Sequence, residues 1–262
     1  MKDISCDIIG NIAILNFKKN TFFLKKILTA HSLLRNNINL ATILEKKENI
    51  QGILRIPKLK FLAGKRNYET YYKENNCMFK FNVRETYFSP RLSNERNRIS
   101  EEVLNLSKKI KNPKILVMFA GAYPYPIVLA KKLKLNKIKA EIYVNELNEK
   151  ANFYGKENIK INKVEEYIKI YEGDAKNLPK RLKQKFDIIL MPRPNLEETF
   201  LDICIKLSKK NTKVFYHGFG KKEEVIKEID KEIKNKYKNL EIRKAGDIAP
   251  YKYRWQASFN IK

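Results

Sequence analysis

The chain has 262 residues, 43% of them hydrophobic, and 55 Lys and Arg stand against 29 Asp and Glu, a formal net charge of +26. Length and apolar content allow a folded core and exclude a disordered basic tail, and no apolar run approaches the roughly 18–20 residues of a membrane span. Cys6, Cys77 and Cys204 are scattered and the histidines are two, His31 and His217, which argues against a disulfide framework, a metal centre and a Ser-His-Asp triad.

In chain order, Asp7–Phe17 reads as a strand, and Thr21–Leu34 has helical apolar spacing with Thr21 or Asn20 as N-cap. Thr42–Leu44, Gly52–Ile56 and Lys60–Ala63 read as short strands, Cys77–Tyr87 alternates, and Ser93–Ile110 reads as an amphipathic helix. Residues 1–109 are thus expected to form a small α+β module. From 110 to 262 the order is regular: strands at Lys114–Met118, Ala140–Val144, Ile168–Tyr171, Phe186–Met191 and Lys213–His217 alternate with helices at Pro126–Leu133, Glu149–Asn162, Leu196–Leu207 and Glu223–Tyr237. Late strands follow at Leu240–Ile242 and Gln256–Ile261. That alternation predicts an α/β fold with a mostly parallel, doubly wound sheet, whose ligands sit at the carboxyl ends of the strands.

Four features of the second half suit a nucleotide cofactor. Gly121 lies in the turn Phe119–Pro126 after the first strand, where a small residue lets the backbone approach a ligand. Glu146 ends the second strand and suits ribose hydroxyls; taken alone it reads more readily as a helix cap. Asp174 follows the third strand and suits an adenine amino group, and Met191-Pro192-Arg193-Pro194 makes a rigid loop after the fourth. The absence of Gly-x-Gly-x-x-Gly argues against a dinucleotide and for S-adenosylmethionine. The charge favours a polyanionic partner, nucleic acid first, against a merely Lys-, Ile- and Asn-rich composition. Early acidic residues and the lack of a cleavage site argue against a signal peptide, and reduced cysteines suit the cytoplasm.

The stretch Tyr87-Phe-Ser-Pro-Arg91-Leu-Ser-Asn-Glu95-Arg96-Asn-Arg98-Ile99 resembles the signature of the archaeal and eukaryotic tRNA (guanine-N1)-methyltransferase family. Ile9–Leu15, Gly52–Pro57, Phe119-Ala-Gly121 with Pro124, Asn145–Asn148, Glu157–Lys163 and Gly173-Asp174-Ala175 extend the resemblance over nearly the whole chain. It implies a class I, Rossmann-like, S-adenosylmethionine-dependent enzyme that methylates guanosine 37, just 3′ of the anticodon. Three positions depart from the family pattern: Val117 stands for an Asp, Tyr123 for the second Gly of the cofactor loop, and Pro192 for an Asn. The Pro-containing fourth motif resembles an archaeal branch, some members of which also methylate C7 of a tricyclic wyosine precursor. The chain is expected to lack the family's N-terminal domain that grips the tRNA elbow, leaving its diffuse charge to hold phosphates.

The resemblance implies Glu95 as general base for guanine N1, a role a carboxylate can fill if burial raises its pKa; without it, an ion pair with Arg96 or Arg98 on a solvated helix is the simpler reading. Arg55 suits guanine O6, with a phosphate or surface ion pair as the alternative, and Arg66 is a second candidate. Tyr87 suits the flipped base or a core position, Arg91 the methionyl carboxylate or a tRNA phosphate, and the Pro192 loop offers backbone carbonyls near the base. Phe119, Gly121, Glu146 and Asp174 are the cofactor candidates; Arg66, Arg193 and Arg254, the last within Asp247–Arg254, are the RNA candidates. His217 and Trp255 are assigned core or surface roles. No metal is expected, and the protein is expected to act as a monomer on the tRNA anticodon loop. An aminocarboxypropyl transferase of wyosine synthesis and a non-catalytic RNA-binding protein are the rival readings.

Overall fold

A computed structural model describes residues 4–47, 52–249 and 251–262. The chain divides into two units, Met1–Pro90 and Arg91–Lys262.

In the first unit, β1 (Ser5–Ile9), β2 (Ile12–Asn16), β3 (Thr42–Lys46) and β4 (Leu59–Gly64) form one sheet in that order, crossed by α1 (Phe23–Arg35) between β2 and β3. Ala13, Leu15, Ile43, Leu62 and Ala63 of the strands pack with Ala30 of the helix. A separate hairpin of β5 (Glu69–Glu74) and β6 (Cys77–Asn82) completes the unit. The expected single strand over Asp7–Phe17 is a hairpin instead. Gly10 turns it at φ +56°, and a Cβ there would stand 2.1 Å from the Tyr71 carbonyl oxygen. Gly52–Ile56 is a turn, not a strand, with Arg55 in the left-handed region at φ 54°. Neither Asn20 nor Thr21 caps α1: the Thr21 hydroxyl donates to the Lys18 carbonyl, and Phe22 precedes the helix without a side-chain cap.

The second unit opens with α2 (Ser93–Ser107), followed by β7 (Lys114–Val117), α3 (Pro124–Leu135), β8 (Glu141–Glu146), α4 (Glu149–Asn162), β9 (Ile168–Glu172), α5 (Leu178–Arg181) and β10 (Phe186–Met191). Then come α6 (Leu201–Leu207), β11 (Ser208–Gly220), α7 (Lys222–Ile233), β12 (Tyr237–Ala249) and β13 (Lys252–Ile261). The seven strands lie in the order β12-β13-β11-β10-β7-β8-β9, with β13 alone antiparallel to its neighbours. One face carries α5, α6 and α7 over Met118, Phe186, Ile189, Met191, Val214, Tyr216 and Phe259. Alternate strand residues therefore face the other side, where α2 and α3 pack.

The unit boundary falls at Pro90/Arg91 rather than at 109/110. The reason is α2, which buries Ile99, Val103 and Leu104 and is tied to α3 by the Glu101–Lys132 ion pair. The helix expected over Leu196–Leu207 starts only at Leu201, because residues 192–200 form an irregular loop. The late strands are far longer than expected, most of their residues gaining a ladder partner from the neighbouring strand.

Candidate active site

The strand order reverses at β7, which pairs with β8 on one side and β10 on the other. The crevice at the carboxyl ends of these strands is where such sheets bind ligands. Glu146 closes it at the tip of β8. Its Oε2 accepts the Gly121 backbone N–H at 2.7 Å and its Oε1 that of Asn148 at 2.8 Å. Burial pushes its carboxyl above the usual range, offset in part by these backbone donors. The Leu147 backbone N–H is a third donor, and a carboxylate with about four lone pairs still keeps acceptor capacity for a ribose hydroxyl. Capping of α4 falls to Asn148, whose side chain accepts from Lys150 and Ala151, so the helix-cap reading of Glu146 does not hold.

The neighbouring turns are built to match. Asn145 donates to the Tyr171 and Gly173 carbonyls, each at 2.8 Å, and thereby joins the ends of β8 and β9. Asp174 accepts from the Lys176 N–H at 2.9 Å through one oxygen. Phe119 packs edge-on against Phe200 at 4.9 Å and lies half-buried. Carboxylates at Glu146 and Asp174, with Gly121 between strand and helix, fit the acceptor demand of a ribonucleoside.

Tyr123, which stands where a glycine is usual, does not fill this crevice. It adopts the left-handed conformation at φ 67°, which explains the preference for glycine, but its ring is fully buried and its hydroxyl donates to Asn152. Gly155 on α4 makes room for it: a Cβ there would lie 2.5 Å from the ring.

Glu95 sits in the first turn of α2 and is 7% exposed. It does not pair with Arg96 or Arg98; Arg98 bonds Glu102 instead, at 3.2 Å. Arg243 of β12 grips the Glu95 carboxylate through two bonds, Nη1 to Oε2 at 2.6 Å and Nη2 to Oε1 at 3.0 Å, and His217 Nε2 of β11 stands 3.4 Å from Oε1. The expected rise of the Glu95 carboxyl does not occur: burial alone would raise it, but the hydrogen bonds from His217 and Arg243 outweigh it and hold it below the ordinary value. Burial lowers the His217 imidazole, with the nearby Arg254 and Arg243 charges adding to the effect against the Glu95 bond. His217 is therefore neutral at pH 7 and donates from Nε2 to an ionised carboxylate.

Arg193, expected to meet RNA, is 3% exposed and turned inward. Its guanidinium donates to the carbonyls of His217, Leu196 and Glu198 and pairs with Glu228, so it ties the Pro192–Phe200 loop to β11 and α7. Pro192 is half-buried at the start of that loop. Arg254 lies partly buried over the Phe219 ring at 5.3 Å, and its Nε is buried without a partner among the described residues. Pro250, within the stretch expected to meet RNA, lies outside the described residues. Arg91 is exposed in the 3-10 turn before α2. Arg55, Arg66 and Tyr87 belong to the first unit; Arg66 is exposed over the Phe61 ring at 4.8 Å, and Arg55 and Tyr87 are half-buried.

The residues that hold Glu95 escaped the sequence reading. His217 lies in an apolar strand, and Arg243 is one basic residue among many. Only the strand pairing joins them: both stand opposite Gln256 of β13, one on each side. Among the described residues there is no cluster of His, Cys, Asp and Glu fit for a metal ion, and no helix long and apolar enough to cross a membrane.

Residues 70–243 match the family model of the TRM5/TYW2 methyltransferase domain. A Nanoarchaeum equitans protein, the tRNA (guanine(37)-N(1))/4-demethylwyosine(37)-methyltransferase Taw22, is 32% identical over 96% of this chain and 97% of its own. The tRNA (guanine(37)-N(1))-methyltransferase Trm5b of Pyrococcus abyssi is 30% identical over 98% of this chain and 74% of its own. The solved complex of aTrm5 and tRNALeu superimposes with a TM-score of 0.84 at 26% identity, over 100% of this chain and 73% of that one. With a nucleoside-type crevice at the switch point of a Rossmann-like sheet and a match of this extent, the chain belongs to the TRM5/TYW2 methyltransferase family.

Proposed function

We propose that the protein is an S-adenosylmethionine-dependent tRNA methyltransferase that forms N1-methylguanosine at position 37. The observation that carries the reading is the Glu95 carboxylate, buried and held by Arg243 and His217, in a chain whose relatives are named for methylating guanine 37 at N1. When bound, S-adenosylmethionine supplies an electrophilic sulfonium methyl group. Glu146 accepts from its ribose hydroxyls and Asp174 from its adenine amino group. Phe119 and Gly121 line the crevice, and Arg91 takes the methionyl carboxylate.

Guanine N1 carries a proton and becomes nucleophilic as that proton leaves. Glu95 takes it: the N1–H bond breaks, the proton passes to the carboxylate, and N1 is left with the electron pair that would attack the sulfonium methyl as its bond to sulfur breaks and the thioether leaves. Arg55 donates to O6 where negative charge develops. The base is extruded from the anticodon loop, at a cost of a few kcal/mol, and Tyr87 holds it. Carbonyls of the Pro192 loop replace the amide that an Asn would offer. Arg66 and Arg254 meet tRNA. On this reading the first unit presents side chains to RNA and the second holds the cofactor, and the enzyme works as a cytoplasmic monomer.

A second activity, C7 methylation of the wyosine precursor, is favoured by the likeness to Taw22, which is named for methylating both guanine 37 and 4-demethylwyosine 37. Incubation with tRNA and labelled cofactor, followed by nucleoside mass spectrometry, tests both. Methylated guanosine at position 37 is expected, and its absence from every tRNA refutes the reading. An aminocarboxypropyl adduct would identify the transferase rival by mass, and no S-adenosylmethionine binding by calorimetry would leave a non-catalytic RNA-binding protein. Glu95→Gln is expected to abolish transfer while cofactor affinity stays unchanged.

A further inference from the structure

Three strands align a row of side chains under α2. His217 on β11 is paired with Gln256 on β13, and Gln256 with Arg243 on β12, so all three point to the same face of the sheet. That face is the one opposite Gly218, whose Cβ position is occupied by Val225 of α7. Above the row, Glu95 enters from the first turn of α2. The row is fixed from behind as well: the His217 carbonyl accepts from the buried Arg193 Nε at 3.1 Å, and the His217 ring meets the Tyr125 ring edge-on at 6.2 Å.

The lone pairs of Glu95 can be counted. Oε1 accepts from Arg243 Nη2 and His217 Nε2, which uses both of its lone pairs. Oε2 accepts from Arg243 Nη1 and, among the described residues, from nothing else, which leaves one. The two-point Arg243 contact also fixes the carboxylate plane, which a lysine cannot do. We propose that Arg243 and His217 are positioning residues for methyl transfer: they clamp the Glu95 carboxylate and reserve the remaining Oε2 lone pair for the proton on guanine N1. This rests on the reading of Glu95 as the base.

The charged and titratable groups around the carboxylate come from every element packed on it. They are His217 of β11, Arg243 of β12, Arg254 of β13, Tyr125 of α3, and Glu102 of α2 itself, 3.9 Å from Arg243 Nη2. Two partners lower the carboxyl against burial, His217 first and Arg243 second, and Arg243 alone among the arginines bonds the carboxylate in the described residues. Its loss removes one of the two, and the carboxyl titrates at higher pH.

The test uses the full chain with its glutamate carboxyl carbons labelled for NMR, the Glu95 signal assigned by its disappearance in Glu95→Gln. The wild-type midpoint is expected below that of ordinary glutamates, and in Arg243→Gln it rises. Single-turnover transfer to tRNA is measured in parallel. In Arg243→Gln the acid limb of the rate profile is expected to move up with the midpoint. Arg243→Lys keeps the midpoint nearer wild type but, with the carboxylate no longer aimed, loses roughly 10²-fold in rate. S-adenosylmethionine affinity is expected to stay unchanged in both. If Arg243→Gln does not fold, Arg243→Lys and His217→Gln carry the same two measurements. An unmoved Glu95 midpoint overturns the clamp, and a moved midpoint with an unaltered rate profile overturns its role in transfer. Full activity in Glu95→Gln would instead sink the base assignment, leaving the NMR result as it stands.

Discussion

Replacing Arg193 by Met keeps most of the stem volume and removes a guanidinium that is 3% exposed. Four bonds go with it: to the His217 carbonyl at 3.1 Å, the Leu196 carbonyl at 2.7 Å, the Glu198 carbonyl at 3.2 Å, and the Glu228 carboxylate. Deleting one partner of a buried ion pair costs about 3–5 kcal/mol. The Glu228 side chain keeps 23% exposure and the Tyr216 hydroxyl as a donor, so water and that bond soften the loss toward about 3 kcal/mol. Urea unfolding followed by near-ultraviolet circular dichroism measures it: the midpoint should fall at constant m-value. Because Arg193 is used up inside the loop, the salt dependence of tRNA binding should keep its slope. Stability within about 0.5 kcal/mol of wild type, together with a slope reduced by about one, would show that the guanidinium meets a phosphate and that the loop anchor is misread.

Gly155→Ala pushes a methyl into the Tyr123 ring, 2.5 Å away, and should cost about 1–3 kcal/mol and weaken S-adenosylmethionine binding, because Tyr123 belongs to the loop that carries Gly121; calorimetry and thermal melts check both. Buried Glu45 pairs with Lys26 at 2.6 Å and Lys47 at 3.1 Å. Burial would raise its carboxyl, but these bonds prevail and lower it. Its contribution is thus fully present above the unfolded-state value and is lost as pH falls through the lower folded value; Glu45→Gln should flatten that acid loss in a pH series of melts. With a net charge of +26, tRNA affinity should drop steeply between 50 and 200 mM salt if 6–10 phosphates are neutralised, by roughly 10³–10⁵, and a flat salt dependence would reduce the lysines to composition.

The parallel half of the fold was readable because its signals are local. β10 and α4 occur at the residues their apolar runs predict, and Glu146 and Asp174 fall at strand ends where a doubly wound sheet binds ligands. The hairpin at Gly10 and the start of α6 were not, since an apolar run does not reveal where its backbone reverses or which part coils. The placing of Tyr123 was not legible either: it depends on the direction of the ring, for which Gly155, 32 positions later, makes room.

By itself, the sequence determined the fold class, the cofactor crevice and the position of Glu95 in a helix, because periodicity, turn chemistry and the Tyr87–Arg96 stretch are properties of neighbouring residues. Tertiary structure alone decided what holds that carboxylate. His217, Gln256 and Arg243 lie on three strands, far apart in the chain, and only the ladder places them in one row beneath α2. That Arg193 is turned to the protein interior came the same way, since an arginine has the same composition and charge inside or outside and only burial tells the two apart.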